Sequence, residues 1–320
     1  MESILDNLRF SLNATVPIFL MMVLGYILRR IGIFDESTSL KLSTFSFKIL
    51  LPALLFSDLS TVDFVSIWDT KFVLFCTIVT LLSITAAFIF SLFHKEKAER
   101  GEVIQASYRS SAAILGIAFV NNIYGSSKMA ALMIIGTVPI YNIIAVIILS
   151  LTSPDKDKSG SKKELFLKTL KKTATNPIIL GIAVGIVWSL LSIPQPKIMS
   201  RSLSYLSSMA SPMSLIALGA LFKIEDAKSK LAVSGIITFI KLVFFCAVFL
   251  PVAAALGYRD EKLVAILVML GSATTASCFV MAKNMGHKGV ITSCSVMLTT
   301  LFSSFTLTAW LFIVKSLGYI

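Results

Sequence analysis

Three ionisable side chains stand inside long apolar runs of this sequence: Lys48, Arg109 and Lys241. Every Asp and Glu falls in a loop or at the end of a run, the nearest being Asp58, Glu102 and Glu261. A cation buried without a counter-charge is costly, so each of the three must reach water or hold an anion. Arg109 is the strongest candidate, because its planar fork matches a carboxylate bidentately and Ser110 and Ser111 follow it directly. Two readings stand for it: an anion holder, or a stem that snorkels to the nearby cytoplasmic face. Lys48 can snorkel in the same way. Lys241 lies ten residues into its run, so it serves either a substrate or the polar groups of a neighbouring helix.

Polar and small residues gather in two places where lipid would prefer Leu and Phe. One is the stretch from Gln105 to Asn122, which holds Arg109, Ser110, Ser111, Gly116 and Asn121; the other runs from Leu270 to Cys278 through Ser272, Thr274, Thr275 and Ser277. Small residues let backbones approach, and hydroxyls replace backbone partners where a helix unwinds. Each stretch is therefore a candidate interrupted helix with a substrate site at the break, or else an ordinary small-residue packing face. No cysteine has metal-ligand spacing, and neither His-Glu-x-x-His nor Gly-x-Ser-x-Gly occurs. The expectation is a protein that is not an enzyme and holds no cofactor or metal.

The elements that must position these residues are membrane spans. The chain is 56% hydrophobic and 14% charged over 320 residues, and a bilayer crossing takes about 20 helical residues. The apolar runs are continuous rather than alternating, so they predict helices and not a barrel. Ten spans are expected, at 10–30, 38–57, 71–93, 103–124, 128–151, 174–193, 198–222, 231–257, 262–283 and 289–314. The fold class is all-α integral membrane. A net charge of +12 would suggest nucleic acid in a soluble protein; here it reads as basic cytoplasmic loops beside a lipid bilayer, with no nucleic-acid partner. Placing both termini outside puts more than twice as many Lys and Arg on the cytoplasmic side as on the outer side. Plasma-membrane localisation with a cytoplasmic Lys-rich linker at 152–173 follows.

That linker divides two halves, 10–151 and 174–314. At an offset of 160 residues Pro17 meets Pro177, Gly25 meets Gly185 and Pro52 meets Pro212. Repetition at half the chain length signals duplicated architecture, with the four prolines as shared hinge or structural positions. Five spans per half force the second copy to enter from the opposite side. Inverted repeats of this kind are common in secondary transporters, whose sites lie near the midplane. An interior with fixed positive charge and no fixed negative charge suits small organic anions and predicts movement by voltage without a built-in proton relay. A membrane sensor reusing the architecture and a channel are the alternatives; no charged ring or filter-like motif favours the channel.

Val16-Pro17-Ile18-Phe19 with Leu24-Gly25-Tyr26, Ile31 to Glu36, Leu50-Leu51-Pro52-Ala53-Leu54-Leu55-Phe56, Tyr141-Asn142, Asn176-Pro177 and Ala210-Ser211-Pro212-Met213 together resemble the auxin efflux carrier family of permeases, from about residue 11 to 314. The resemblance implies a fold shared with bile-acid-type symporters: spans 1, 2, 6 and 7 as a scaffold, spans 3–5 and 8–10 as a moving domain, and spans 4 and 9 crossing as broken helices in an elevator-type cycle. It also implies carboxylate substrates such as malate, malonate or auxin-like acids, adds Asn142 to the candidate site, and leaves open a homodimer through the scaffold spans. The sequence departs from the family pattern where Ser110 replaces an Asn, Ala112 a Gly and Ala118 the crossover Pro, and where Ala273 and Ser277 replace a Pro and an Asn. Ser272, Thr274, Thr275 and Ser277 are expected to supply polar groups in their stead.

Overall fold

The computed structural model describes residues 16–17, 20–60, 68–112, 119–120, 123–125, 128–153 and 175–320. Gly116, Asn121 and nearly all of the Lys-rich linker lie outside the described residues. Those described form helices and no strands. In chain order they are α1 (20–30), α2 (Glu36–Ser60), α3 (Thr70–Leu92), α4 (Arg100–Tyr108), α5 (Lys128–Thr152), α6 (Pro177–Leu190), α7 (Lys197–Leu221), α8 (Ile224–Ala255), α9 (Asp260–Gly271), α10 (Ser277–Asn284) and α11 (Val290–Ser316). Six of these, α2, α3, α5, α7, α8 and α11, are long and apolar enough to cross a membrane, and α6 is a shorter apolar helix.

Local chemistry sets the starts. Asp35 caps α2 by accepting from the Thr38 amide at 2.6 Å, and Asp69 caps α3 from the Phe72 amide at 3.0 Å. Asn176 caps α6 through the Ile178 amide at 2.9 Å, with Pro177 at the first helical position, where its missing N–H costs nothing. The N-terminus of α11 is capped from another helix: buried Glu102 of α4 accepts from the amides of Gly289 and Thr292 and from the Thr292 hydroxyl, at 2.9, 3.1 and 3.1 Å. A carboxylate there also meets the positive end of the helix dipole.

Two of the expected spans are not single helices. The 103–124 run leaves helical geometry after Tyr108, and Arg109 is extended (φ −72°, ψ 134°). The 262–283 run stops at Gly271, Ser272 is extended (φ −76°, ψ 160°), and α10 restarts at Ser277. Every residue of α4 from Gly101 to Tyr108 and of α9 from Leu263 to Gly271 is buried. These short helices are the centre of the molecule, and α3, α5, α8 and α11 pack around them.

Helices α1, α2, α6 and α7 form a second layer. Helix α1 meets α7 where a Cβ on Gly25 would overlap the Ile216 carbonyl and one on Gly219 the Met22 carbonyl. Helix α6 meets α2 where a Cβ on Gly185 would lie 3.1 Å from Phe56 Cα. In both pairs glycine lets the backbones touch. Helix α10 reaches across from the centre to α2 and α7. There the Asn284 amide donates to the Ser43 hydroxyl at 3.0 Å.

Candidate functional site

The two interrupted stretches run past each other and satisfy each other's open backbone groups. The Ser111 amide donates to the Ala273 carbonyl at 2.8 Å. The Ser110 hydroxyl donates to the Met269 carbonyl in the last turn of α9, and the Thr274 hydroxyl donates to the Ala106 carbonyl in the last turn of α4, the latter at 2.9 Å. The Thr274 amide in turn donates to the Thr299 hydroxyl of α11 at 3.0 Å. Each stretch thus caps the other's truncated helix with a hydroxyl. Unwound backbone inside a membrane protein is tolerated on that condition, and here it is met without a proline in either described stretch.

Lys241 belongs to the same arrangement. A π-helical turn, Ile240–Phe244, lies within α8, and its buried ammonium donates to the Leu270 carbonyl and the Ser110 hydroxyl, both at 2.5 Å. It sits at the negative end of α9, where a cation offsets the dipole and the free carbonyls. Of the two roles open to it in the sequence, the geometry gives it the polar groups of a neighbouring element. Lys48 also lies in a π-helical turn, Ser46–Leu50, and is exposed on the outside of the bundle.

Arg109 does not snorkel. It is 2% exposed, and its guanidinium is held by neutral groups alone. One terminal nitrogen donates to Asn142 Oδ1 at 2.8 Å and to Ser277 Oγ at 2.7 Å; the other lies 2.8 Å from Met281 Sδ and 3.4 Å from Gln105 Oε1. Its Nε has no partner. Among the described residues no carboxylate lies within ion-pair distance. Arg109, Ser110, Ser111, Asn142, Thr275 and Ser277 line one cavity of about 60 Å³, together with Asp58, Tyr141, Ser211 and Ser214 from the surrounding helices. A larger cavity of about 460 Å³ adjoins it, sharing Leu54, Ser111, Ser211 and Thr275 and extending along Pro17, Pro212 and three further serines of α7.

Six candidate residues therefore meet at one cavity. Ser272 is fully buried behind it with its hydroxyl unpartnered, and Thr274 is committed to the helix end. Asp58 was invisible as a site residue because it lies near the end of its span and looks like a loop acid. The serines of α7 read as a polar face, and nothing in their spacing aims them at Arg109. The expected interior without carboxylates does not hold, since Glu102 is buried at a helix end and Asp58 opens onto the Arg109 cavity. His287 is buried as well, with Nε2 donating to the Leu149 carbonyl at 3.0 Å.

The rims outside the spans are ordinary paired charges. Burial pushes the Glu99 carboxyl up, but hydrogen bonds and charge from Lys230 and His94 outweigh it and hold the group below its usual range. At the opposite face, hydrogen bonding from Lys262 holds Asp69 low.

Comparison with known proteins bears on what this cavity serves. A family model described as "Membrane transport protein" matches residues 10–311. The chain belongs to that family of membrane transport proteins. This is the auxin efflux carrier grouping that its motifs resemble. A Rhizobium meliloti (strain 1021) protein named "Putative malonate transporter" is 26% identical over 315 residues, covering 94% of this chain and 95% of its own. The uncharacterized transporter YfdV of Escherichia coli (strain K12) is 26% identical over 276 residues, covering 83% and 85%. Among solved structures, the sodium proton antiporter MjNhaP1 of Methanocaldococcus jannaschii aligns with a TM-score of 0.63 over 97% of this chain and 98% of its own, at 13% identity. That likeness concerns the fold alone.

Proposed function

We propose that this protein is a secondary carrier of small organic acids recognised by a carboxylate group, the broad class to which malate, malonate and auxin-like acids belong. The observation that carries the reading is Arg109: a buried guanidinium with an unpartnered Nε, no carboxylate partner among the described residues, and a cavity in front of it where two interrupted helices cross. A site built that way lacks only an anion. The name of the Rhizobium relative points to the same chemical class.

In this reading ten spans form two oppositely oriented halves, 10–151 and 174–314, with the 152–173 linker in the cytoplasm and both termini outside the plasma membrane. The glycine contacts support the inversion. Gly25 packs on Ile216, and Gly185 packs on Phe56. Shifting by 160 residues carries the first member of one pair onto the first of the other, while the partners exchange in the reverse direction, as halves related by a two-fold axis require. Helices α1, α2, α6 and α7 would stand as scaffold while the crossing and its surrounding helices move past them in an elevator cycle. Among the described residues, Asn284 to Ser43 ties α10 to α2 across the seam.

Proteoliposomes preloaded with an unlabelled carboxylate (propionate, lactate or malonate) should take up the labelled acid by saturable counterflow, and Arg109→Gln should abolish it. Non-saturable flux would indicate a channel, and absence of counterflow with every carboxylate would end the proposal.

A further inference from the structure

Asp58 is the acidic counterpart of Arg109 in the same cavity. This carboxylate lies in the last turn of α2, half-buried, with no ion pair or hydrogen bond among the described residues. It lines the same small cavity as Arg109. No ion pair joins the two: the terminal nitrogens of Arg109 lie on the neutral groups of Asn142, Ser277, Gln105 and Met281. A partly buried carboxylate with no protein partner gains from a cation that enters its cavity. The cavity is therefore bipolar. Its lining offers a cationic donor from the crossing, an acidic acceptor from α2, and the hydroxyls of Ser111, Ser211 and Thr275.

We propose that Asp58 determines which organic acid the site takes: a zwitterion with one carboxylate and an ammonium group close to it, of the size of a small amino acid, in preference to a dicarboxylate. The carboxylate faces Arg109 and the ammonium faces Asp58. A second carboxylate in place of the ammonium would share this small cavity with Asp58, and like charges there repel. A simple monocarboxylate would satisfy Arg109 and leave Asp58 as it is. The inference rests on the carrier reading for Arg109 and narrows it, from carboxylates in general to those that also carry an ammonium group and away from dicarboxylates. It also places one recognition group on each side of the seam between α2 and the crossing, so the preferred cargo would bridge the two layers.

The test compares three probes of similar size, alanine, propionate and malonate, by ligand-induced thermal stabilisation of the purified full-length protein at neutral pH. The expected order of affinity is alanine above propionate above malonate. Asp58→Asn, which keeps the side-chain shape, should lower alanine to the level of propionate and raise malonate by about tenfold. Asp58→Glu should keep the wild-type order, which separates a charge effect from misfolding. Equal responses of wild type and Asp58→Asn to all three probes, with Arg109→Gln still losing them, would overturn the role of Asp58 and leave the carrier reading standing. If no probe stabilises the wild type, both fall together.

Discussion

At the scale of single residues, the site shows how a buried cation is kept without an acid. Arg109 is held by an amide oxygen, a hydroxyl and a thioether, all neutral. Hydrogen bonds from a charged donor are stronger than those between neutral groups, yet neutral acceptors do not cancel its charge, so a carboxylate brought to Arg109 would be attracted to it. Ser277 holds the fork in place. Ser277→Ala should therefore weaken carboxylate binding by about tenfold, the scale of one hydrogen bond to a charged group. Ser303→Ala should have no such effect, since that buried hydroxyl only returns to the Thr300 carbonyl at 3.2 Å in its own helix. Equilibrium binding to the two variants in parallel decides the point, and equal losses would remove Ser277 from the site.

At the scale of elements, the central question is what pays for two broken helices inside a membrane. The ends of α4 and α9 are held by Thr274, Ser110 and Lys241, and the start of α11 by Glu102. Lys241 is the one basic side chain among the three at the ends of α4 and α9. Lys241→Met should leave the Leu270 carbonyl buried and unpartnered, at a cost of about 2 kcal/mol. Unfolding of the detergent-solubilised variant should show that loss. An unchanged stability would mean that the desolvation of the ammonium cancels its bonds, and the residue would then have to be kept for transport. Gly25 and Gly219 do analogous work in the outer layer, where any Cβ would force α1 and α7 apart.

At the scale of the molecule, the proposed cycle requires the seam between the two layers to open and close. Asn284 of α10 reaches Ser43 of α2 across it. The double substitution Ser43→Cys with Asn284→Cys places two thiols at that contact, and oxidation should bond the layers together. The four native cysteines are buried and free, so they offer little competition. Counterflow should stop on oxidation and return on reduction. Full activity in the cross-linked protein would show that the two layers need not separate along this seam.

Composition and run length alone determined that this chain is helical and lives in a membrane, because lipid leaves an apolar run of that length no other way to satisfy its backbone. They also placed the ends of the long helices α2, α3, α5, α7 and α11 within a few residues, since the polar residues that bound an apolar run mark where a span leaves lipid. Arg109, Ser110, Ser111, Thr275 and Ser277 stood out because polar residues in apolar runs are conspicuous. The sequence could not distribute their roles. Whether Thr274 caps a helix or lines a cavity, and whether Lys241 meets a substrate or a carbonyl, depends on which backbone end crosses in front of it. Asp58 and Glu102 show the limit most plainly: two acids near span ends look alike along the chain, and only the packing of α2 and α4 turns one toward the Arg109 cavity and the other toward the start of α11.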